Sequence, residues 1–221
     1  TPRQHNTVLV ARDGQQWSPP PLASLEHRAD LPHTGLAQVL TSAYNGADWR
    51  RNLLWVKEGF FVVFDELQAR EAGDYDLECL WRSLGRVSLT PAGRFTVDQA
   101  GQDFSIEGTD GAACVVREQW EGQGSNYYAS YPYSNDGLVK VLRQHRRLPL
   151  QAGQRAVFSN LLHTHEGAAP TLKAERVADN AMLISGASGK WLAGVGRIDL
   201  PGVLRTDAAL WLVSDSDLVS V

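Results

Sequence analysis

A chain of 221 residues can bury a sizeable core, as one large all-β domain or as two small ones. Its formal net charge of −4 argues against a nucleic-acid partner, which calls for a basic balance. No apolar run approaches the ~20 residues of a membrane span, and Cys79 and Cys114 alone cannot make a disulfide framework.

Taken in order, residues 5–10 (HNTVLV) predict a strand that stops at the turn-former Asp13-Gly14. Trp17–Pro21 then interrupts pairing, because three prolines remove three backbone donors. Leu22–His33 is polar and reads as loop, with one short ambiguous helical pattern. Alternation returns from Leu36 to Tyr44. Arg51–Leu67 holds two apolar runs, Leu53–Val56 and Phe60–Phe64, around Lys57-Glu58-Gly59, which can supply a tight turn with one residue at positive φ. Phe60, Val62 and Phe64 fall on one face, and Phe61, Val63 and Asp65 on the other. A strand apolar on both faces belongs in the middle of a sheet covered on both sides.

Asp74–Trp81 alternates most cleanly, with Tyr75, Leu77, Cys79 and Trp81 on one face. Both cysteines lie in apolar strand-like runs, which favours buried thiols over a bridge. Short strands follow at Arg86–Leu89, Phe95–Val97, Phe104–Ile106 and Ala112–Trp120, separated by Gly-bearing turns. Glu121–Asn135 is a loop rich in Gly, Ser, Asn and Tyr. Leu138–Leu148 and Arg155–His165 are expected to form a long pair, followed by strands at Leu172–Val177, Met182–Ser185, Trp191–Val195 and Ala208–Val213. The pattern predicts an all-β fold with little or no helix: one large antiparallel β-sandwich, supersandwich-like, over residues 1–221, with a barrel as the alternative.

Four stretches carry candidate chemistry. The first is His5-Asn6-Thr7-Val8; a histidine at a strand start is by itself more often packed or solvated than a ligand. HNTVLV followed by DGQQ, then Tyr44, Arg50 and Arg51, then an aromatic strand ending in VVFDEL, resembles the heparinase II/III-like polysaccharide lyases. Leu148, Leu150 and Gly153 fit the β-sandwich region of that family. The resemblance rests on order and spacing over about residues 5–80 and is architectural beyond.

It implies a multidomain bacterial enzyme, periplasmic or secreted, in which a helical toroid and a β-sandwich clasp an acidic polysaccharide that is cleaved by β-elimination. A Tyr or His removes the proton α to the uronic carboxylate, and a neutralising group stabilises the carbanion. The motif match puts a zinc-ligand role on His5, with its partners upstream of Thr1. Structural zinc takes four ligands, so zinc is expected in the full-length protein and not in this chain alone. The opening TPRQHNTVLV, with strand-like sequence at once and no initiator Met, points to a fragment lacking the upstream helical domain. Within this chain His27, Asp30 and His33 could approach His5, and nothing in their spacing requires it. Trp49 stands where family members often carry a histidine, a departure that bears on substrate contacts.

The second candidate, His163-Thr164-His165, puts two imidazoles on one strand face; a cupin-like metal barrel would need His145 as the third, and Glu166 points away. Two surface histidines at a strand end are the simpler reading. The third is the row Arg143, His145 and Arg147, alternating onto one face, which can meet polyanion carboxylates or simply blunt a solvated strand. The fourth is the loop carrying Tyr127, Tyr128, Tyr131 and Tyr133, whose rings can stack on sugars or pack down. There is no P-loop, Rossmann fingerprint, GxSxG or CxxC pair. The reading is thus one wall of a lyase cleft that binds an acidic polysaccharide. A stand-alone carbohydrate-binding sandwich is the alternative, and the cupin-like barrel the third.

Overall fold

The computed structural model describes residues 5–99, 101–119, 138–166, 172–214 and 218–220, and among these every regular element is a strand. Three antiparallel sheets stack as layers. The first, of five strands, runs β11 (Ala113–Gln119), β12 (Val139–Leu150), β7 (Gly73–Ser83), β1 (Val8–Arg12), β2 (Gln15–Gln16). The central sheet of eight runs β3 (Ser24–Asp30), β4 (Thr34–Tyr44), β5 (Ala47–Val56), β6 (Phe60–Ala69), β13 (Arg155–His165), β10 (Gln102–Gly108), β9 (Arg94–Gln99), β8 (Arg86–Leu89). The third runs β14 (Lys173–Ala178), β15 (Ala181–Gly186), β16 (Gly189–Val195), β19 (Leu210–Ser214), β20 (Leu218–Ser220), with β17 (Ile198–Leu200) and β18 (Leu204–Thr206) as a separate hairpin. The sheets are open, not closed into a barrel, so the fold is the sandwich of the two alternatives.

The double apolar pattern of β6 has its cause in this stacking. Val63, Leu67 and Ala69 meet Val8, Val10, Tyr75, Leu77, Cys79 and Leu142 of the first sheet. Phe60, Val62 and Phe64 point the other way, against Met182, Ile184, Ala193, Val195, Leu210 and Leu212 of the third. Phe64 has no exposed surface, and burying such a side chain is worth about 1.5–3 kcal/mol. The turn into β6 is closed by Gly59 N donating to Val56 O at 3.0 Å, and the residue at positive φ is Glu58 (61°), not the glycine beside it.

Two expectations change. The polar stretch read as loop contains β3, which pairs with β4 through a bulge between Leu25 and His27. Nearly all of it is exposed, as befits a sheet edge, so it carries no burial period. The long strands around Gln151–Gln154 do not pair with each other. β12 pairs with β7 in the first sheet and β13 with β6 in the central one, so this short turn carries the chain between layers. Alternation reveals which face of a strand is buried, not which strand lies beside it.

Candidate functional site at the His5 end of the sandwich

Asp65 sits on β6 between Val63 and Leu67, on the face that meets the first sheet, and has no exposed surface. A carboxylate there must be paired and hydrogen-bonded. Arg51 lies opposite it on β5, with Nε 2.8 Å from Oδ1 and Nη2 2.9 Å from Oδ2. Trp49 Nε1 donates to Oδ1 at 2.8 Å, and the Cys79 thiol approaches Oδ2 at 3.6 Å. The guanidinium carbon lies 5.3 Å from the Trp49 ring centroid and 5.2 Å from that of Trp81, within cation–π range. Burial opposes the charge on Arg51, but the Asp65 carboxylate outweighs it and raises the pKa. Burial, with the same carboxylate, pushes the Cys79 thiol well up, so it is a packed, unreactive group. Both cysteines are free.

The remaining nitrogen of Arg51, Nη1, donates to the carbonyl of Asn6 at 2.7 Å. Asn6 Oδ1 in turn accepts the backbone N–H of Arg82 at 2.7 Å. Residues from HNTV, from the Arg-Arg pair and from VVFDEL therefore form one unit that fixes the chain just before β1. His5 stands exposed on it. The signal for Asp65 is present in the sequence, as a carboxylate on the otherwise apolar face of β6 that carries Val63 and Leu67, although its partnership with Arg51 is not.

From Arg51 the same face of β5 continues through Leu53 to Trp55. Trp55 stacks on Phe61, its partner in register on β6, with centroids 5.3 Å apart and planes 7° from parallel. Both rings are exposed, Trp55 by 38% and Phe61 by 41%.

The other candidates lie elsewhere. Arg143 and His145 share the face of the first sheet turned away from the central one, as the alternation requires. There Arg143 Nη2 meets Glu78 Oε1 at 2.5 Å and His145 Nε2 meets Asp76 Oδ1 at 2.8 Å, while Arg147 is exposed. These cross-strand pairs take up part of the charge that a polyanion would need. Tyr127, Tyr128, Tyr131 and Tyr133 lie outside the described residues. His163 and His165 are not the surface pair expected from the sequence: they are buried on β13 on the side of the third sheet, because the strand lies inside the central layer, and their ring centroids are 5.4 Å apart. His165 Nε2 bonds Ser105 Oγ at 3.1 Å, whereas neither nitrogen of His163 has a hydrogen-bond partner among the described residues. His145, on the far face of another sheet, cannot complete a site with them. The cupin-like barrel is thereby corrected: the sheets do not close, and the histidines it requires lie in different layers.

No cluster of three or more His, Cys, Asp or Glu side chains suited to a metal occurs among the described residues. At the His5 end the described donor set is one imidazole. It does not by itself fit zinc, and no step is routed through a metal.

No known family profile and no curated protein matches the sequence. Solved structures do match the fold. Heparan sulfate lyase HepC from Pedobacter heparinus superposes with a TM-score of 0.64 at 16% identity, over 87% of this chain and 30% of that one. A heparinase III structure gives 0.63 at 14% identity, over 86% and 29%, and a heparinase III gene product gives 0.60 at 13%, over 86% and 30%. The chain spans about a third of the length of these enzymes. No helix among the described residues is long and apolar enough to cross a membrane. By its architecture, then, this chain is an all-β sandwich with the fold found in heparinase III and heparan sulfate lyase structures.

Proposed function

We propose that this sandwich is the β-portion of a bacterial, exported polysaccharide lyase and forms one wall of a cleft for an acidic polysaccharide. The observation that carries the reading is the unit at the His5 end. Three stretches of the lyase-like pattern, separate in sequence, meet in the Asn6–Arg51–Asp65 network and present His5 at the surface. The fold likeness to heparan sulfate lyase structures supports the same reading. The chemistry proposed is β-elimination: a base takes the proton α to a uronic carboxylate, and the leaving glycosidic oxygen departs as the double bond forms. The base and the groups that hold the carboxylate would come largely from a helical domain of the same protein. Zinc in that longer protein would take His5 as one ligand of a set completed outside this chain.

The test is activity of the longer protein on heparan sulfate, alginate and hyaluronate, followed by absorbance of the unsaturated uronate. Turnover that His5→Ala strongly reduces is the expected result. A longer protein that binds these polymers but never produces the unsaturated end would favour the stand-alone binding reading.

A further inference from the structure

We propose that the Trp55–Phe61 stack is a sugar-stacking platform, an outlying subsite for a pyranose ring of the glycan; this rests on the cleft-wall reading above. Cross-strand aromatic pairs commonly serve only to hold a hairpin. Three features separate this pair from that role. Both rings keep over a third of their surface exposed, although Leu53 and Val63 beside them pack into the core. An aromatic face open to water, with polar groups at its rim, suits the apolar face and hydroxyl edge of a pyranose.

The second feature is the far side of Trp55. Its partner on β4 is Gly35, which puts no side chain of its own against the ring, so the indole leans over the glycine; a Cβ at that position would sit 3.4 Å from Trp55 Cε3. The third is the polar rim. Asp30 pairs with Gly35 in register on β3, and its carboxylate meets Lys57 Nζ at 2.6 Å. Lys57 Nζ itself lies 5.7 Å from the Trp55 ring centroid. Arg28, two residues before Asp30, is exposed on the same face of β3. The Asp30–Lys57 ion pair and the exposed Arg28 thus border the platform, and Arg28 is the cation left for an acidic group.

The platform also lies on the line of the proposed site. Trp55 is four residues from Arg51 on one face of β5, a separation of about 13 Å along an extended strand. A short oligosaccharide spans that distance, so one chain can reach the His5 end and the platform together. The bound glycan would pass over the surface between the two places, with its reacting unit near His5 and a more distant ring at Trp55.

The experiment titrates the 221-residue chain with size-defined heparan sulfate, alginate and hyaluronate oligosaccharides and follows tryptophan indole N–H signals by NMR. The Trp55 signal is assigned from Trp55→Phe. The expected result is a shift of the Trp55 indole on binding, with affinity about tenfold weaker in Trp55→Ala and largely kept in Trp55→Phe. Gly35→Val, which crowds the indole from the β4 side, weakens binding in the same sense. Shifts confined to the Asn6–Arg51 region, with Trp55→Ala binding like the parent, overturn the platform and leave the cleft-wall reading standing. No binding of any of the three glycans by the folded chain overturns both. If Trp55→Ala fails to fold, the parent indole signal and Gly35→Val decide the matter.

Discussion

Arg51 and Asp65 face each other across β5 and β6, the guanidinium closing two parallel hydrogen bonds of 2.8 and 2.9 Å on a carboxylate with no exposed surface. Such a pair does not raise stability merely by existing, because both charges lost their water to form it. Breaking it is another matter. Arg51→Ala leaves Asp65 charged, buried and held only by Trp49 and a thiol, and is expected to cost about 3–5 kcal/mol in chemical denaturation. The double variant Arg51→Leu, Asp65→Leu should recover much of that loss. It should still free the backbone at Asn6, seen as faster amide exchange at the start of β1. A double variant as unstable as the single one would show that the pair contributes more than mutual neutralisation.

The fold was legible where burial imposes a period, and the site only in part. β6 and β7 announce their two faces because core residues recur at every second position, and the sheets on either side of β6 follow from its having no polar face. β3 is hidden because Glu26, His27 and Arg28 at a sheet edge alternate between nothing and nothing. The layer change at Gln151–Gln154 is hidden because burial along β12 and β13 shows how each is covered and not which strand lies beside it. Within the site, Asp65 stands out as a charge in an apolar run, and Asn6 and Arg51 belong to a recognisable pattern. Their hydrogen bonds span 45 residues of sequence and need the folded register to appear.

His163 gives a pH prediction of definite sign. It is buried on β13, with neither ring nitrogen hydrogen-bonded among the described residues. Burial lowers its pKa, and neighbouring His165 lowers it further, against a small opposing pull from Glu107. In the unfolded chain the imidazole titrates near pH 6.5, about as in a free peptide. Below that pH the unfolded state takes up a proton that the native state refuses, so stability falls as pH drops until the folded pKa is passed. Above it the residue adds no pH dependence. Urea melts between about pH 7.5 and 5 should show this acid loss reduced in His163→Leu. Parallel slopes for parent and variant would assign the acid sensitivity to other groups.

Gly194 on β16 lies in register with Trp211 on β19, and the indole, fully buried, covers it. A Cβ at Gly194 would collide with Trp211 Cζ2 and with the carbonyl of Asn180, 2.7 Å away. The ring cannot swing aside, because its Nε1 donates to Gly196 O at 2.9 Å. Gly194→Ala should therefore destabilise by about 1–3 kcal/mol through overpacking. Trp211→Phe in the same background should relieve part of it. Thermal melts of the two variants check the pair, and an unperturbed Gly194→Ala would mean that the third sheet shifts to make room.

The 221-residue chain by itself should not cleave polysaccharide. Elimination requires a base, a neutralising group and a uronic ring held in one geometry, and orientation alone can be worth about 7–11 kcal/mol of barrier. At the His5 end Arg51 is already committed to Asp65 and to the Asn6 carbonyl. What remains near it is a solvent-exposed imidazole with no second described ligand for a metal. A single imidazole offers no chelate, so zinc should bind there weakly and without the proton release of a preformed multi-ligand site. Calorimetry of zinc binding, with His5→Ala as the comparison, tests the metal part. Incubation with heparan sulfate, alginate and hyaluronate, with and without zinc, tests the chemistry through absorbance of the unsaturated uronate. Sustained turnover that His5→Ala abolishes would show that this sandwich holds a complete active site of its own.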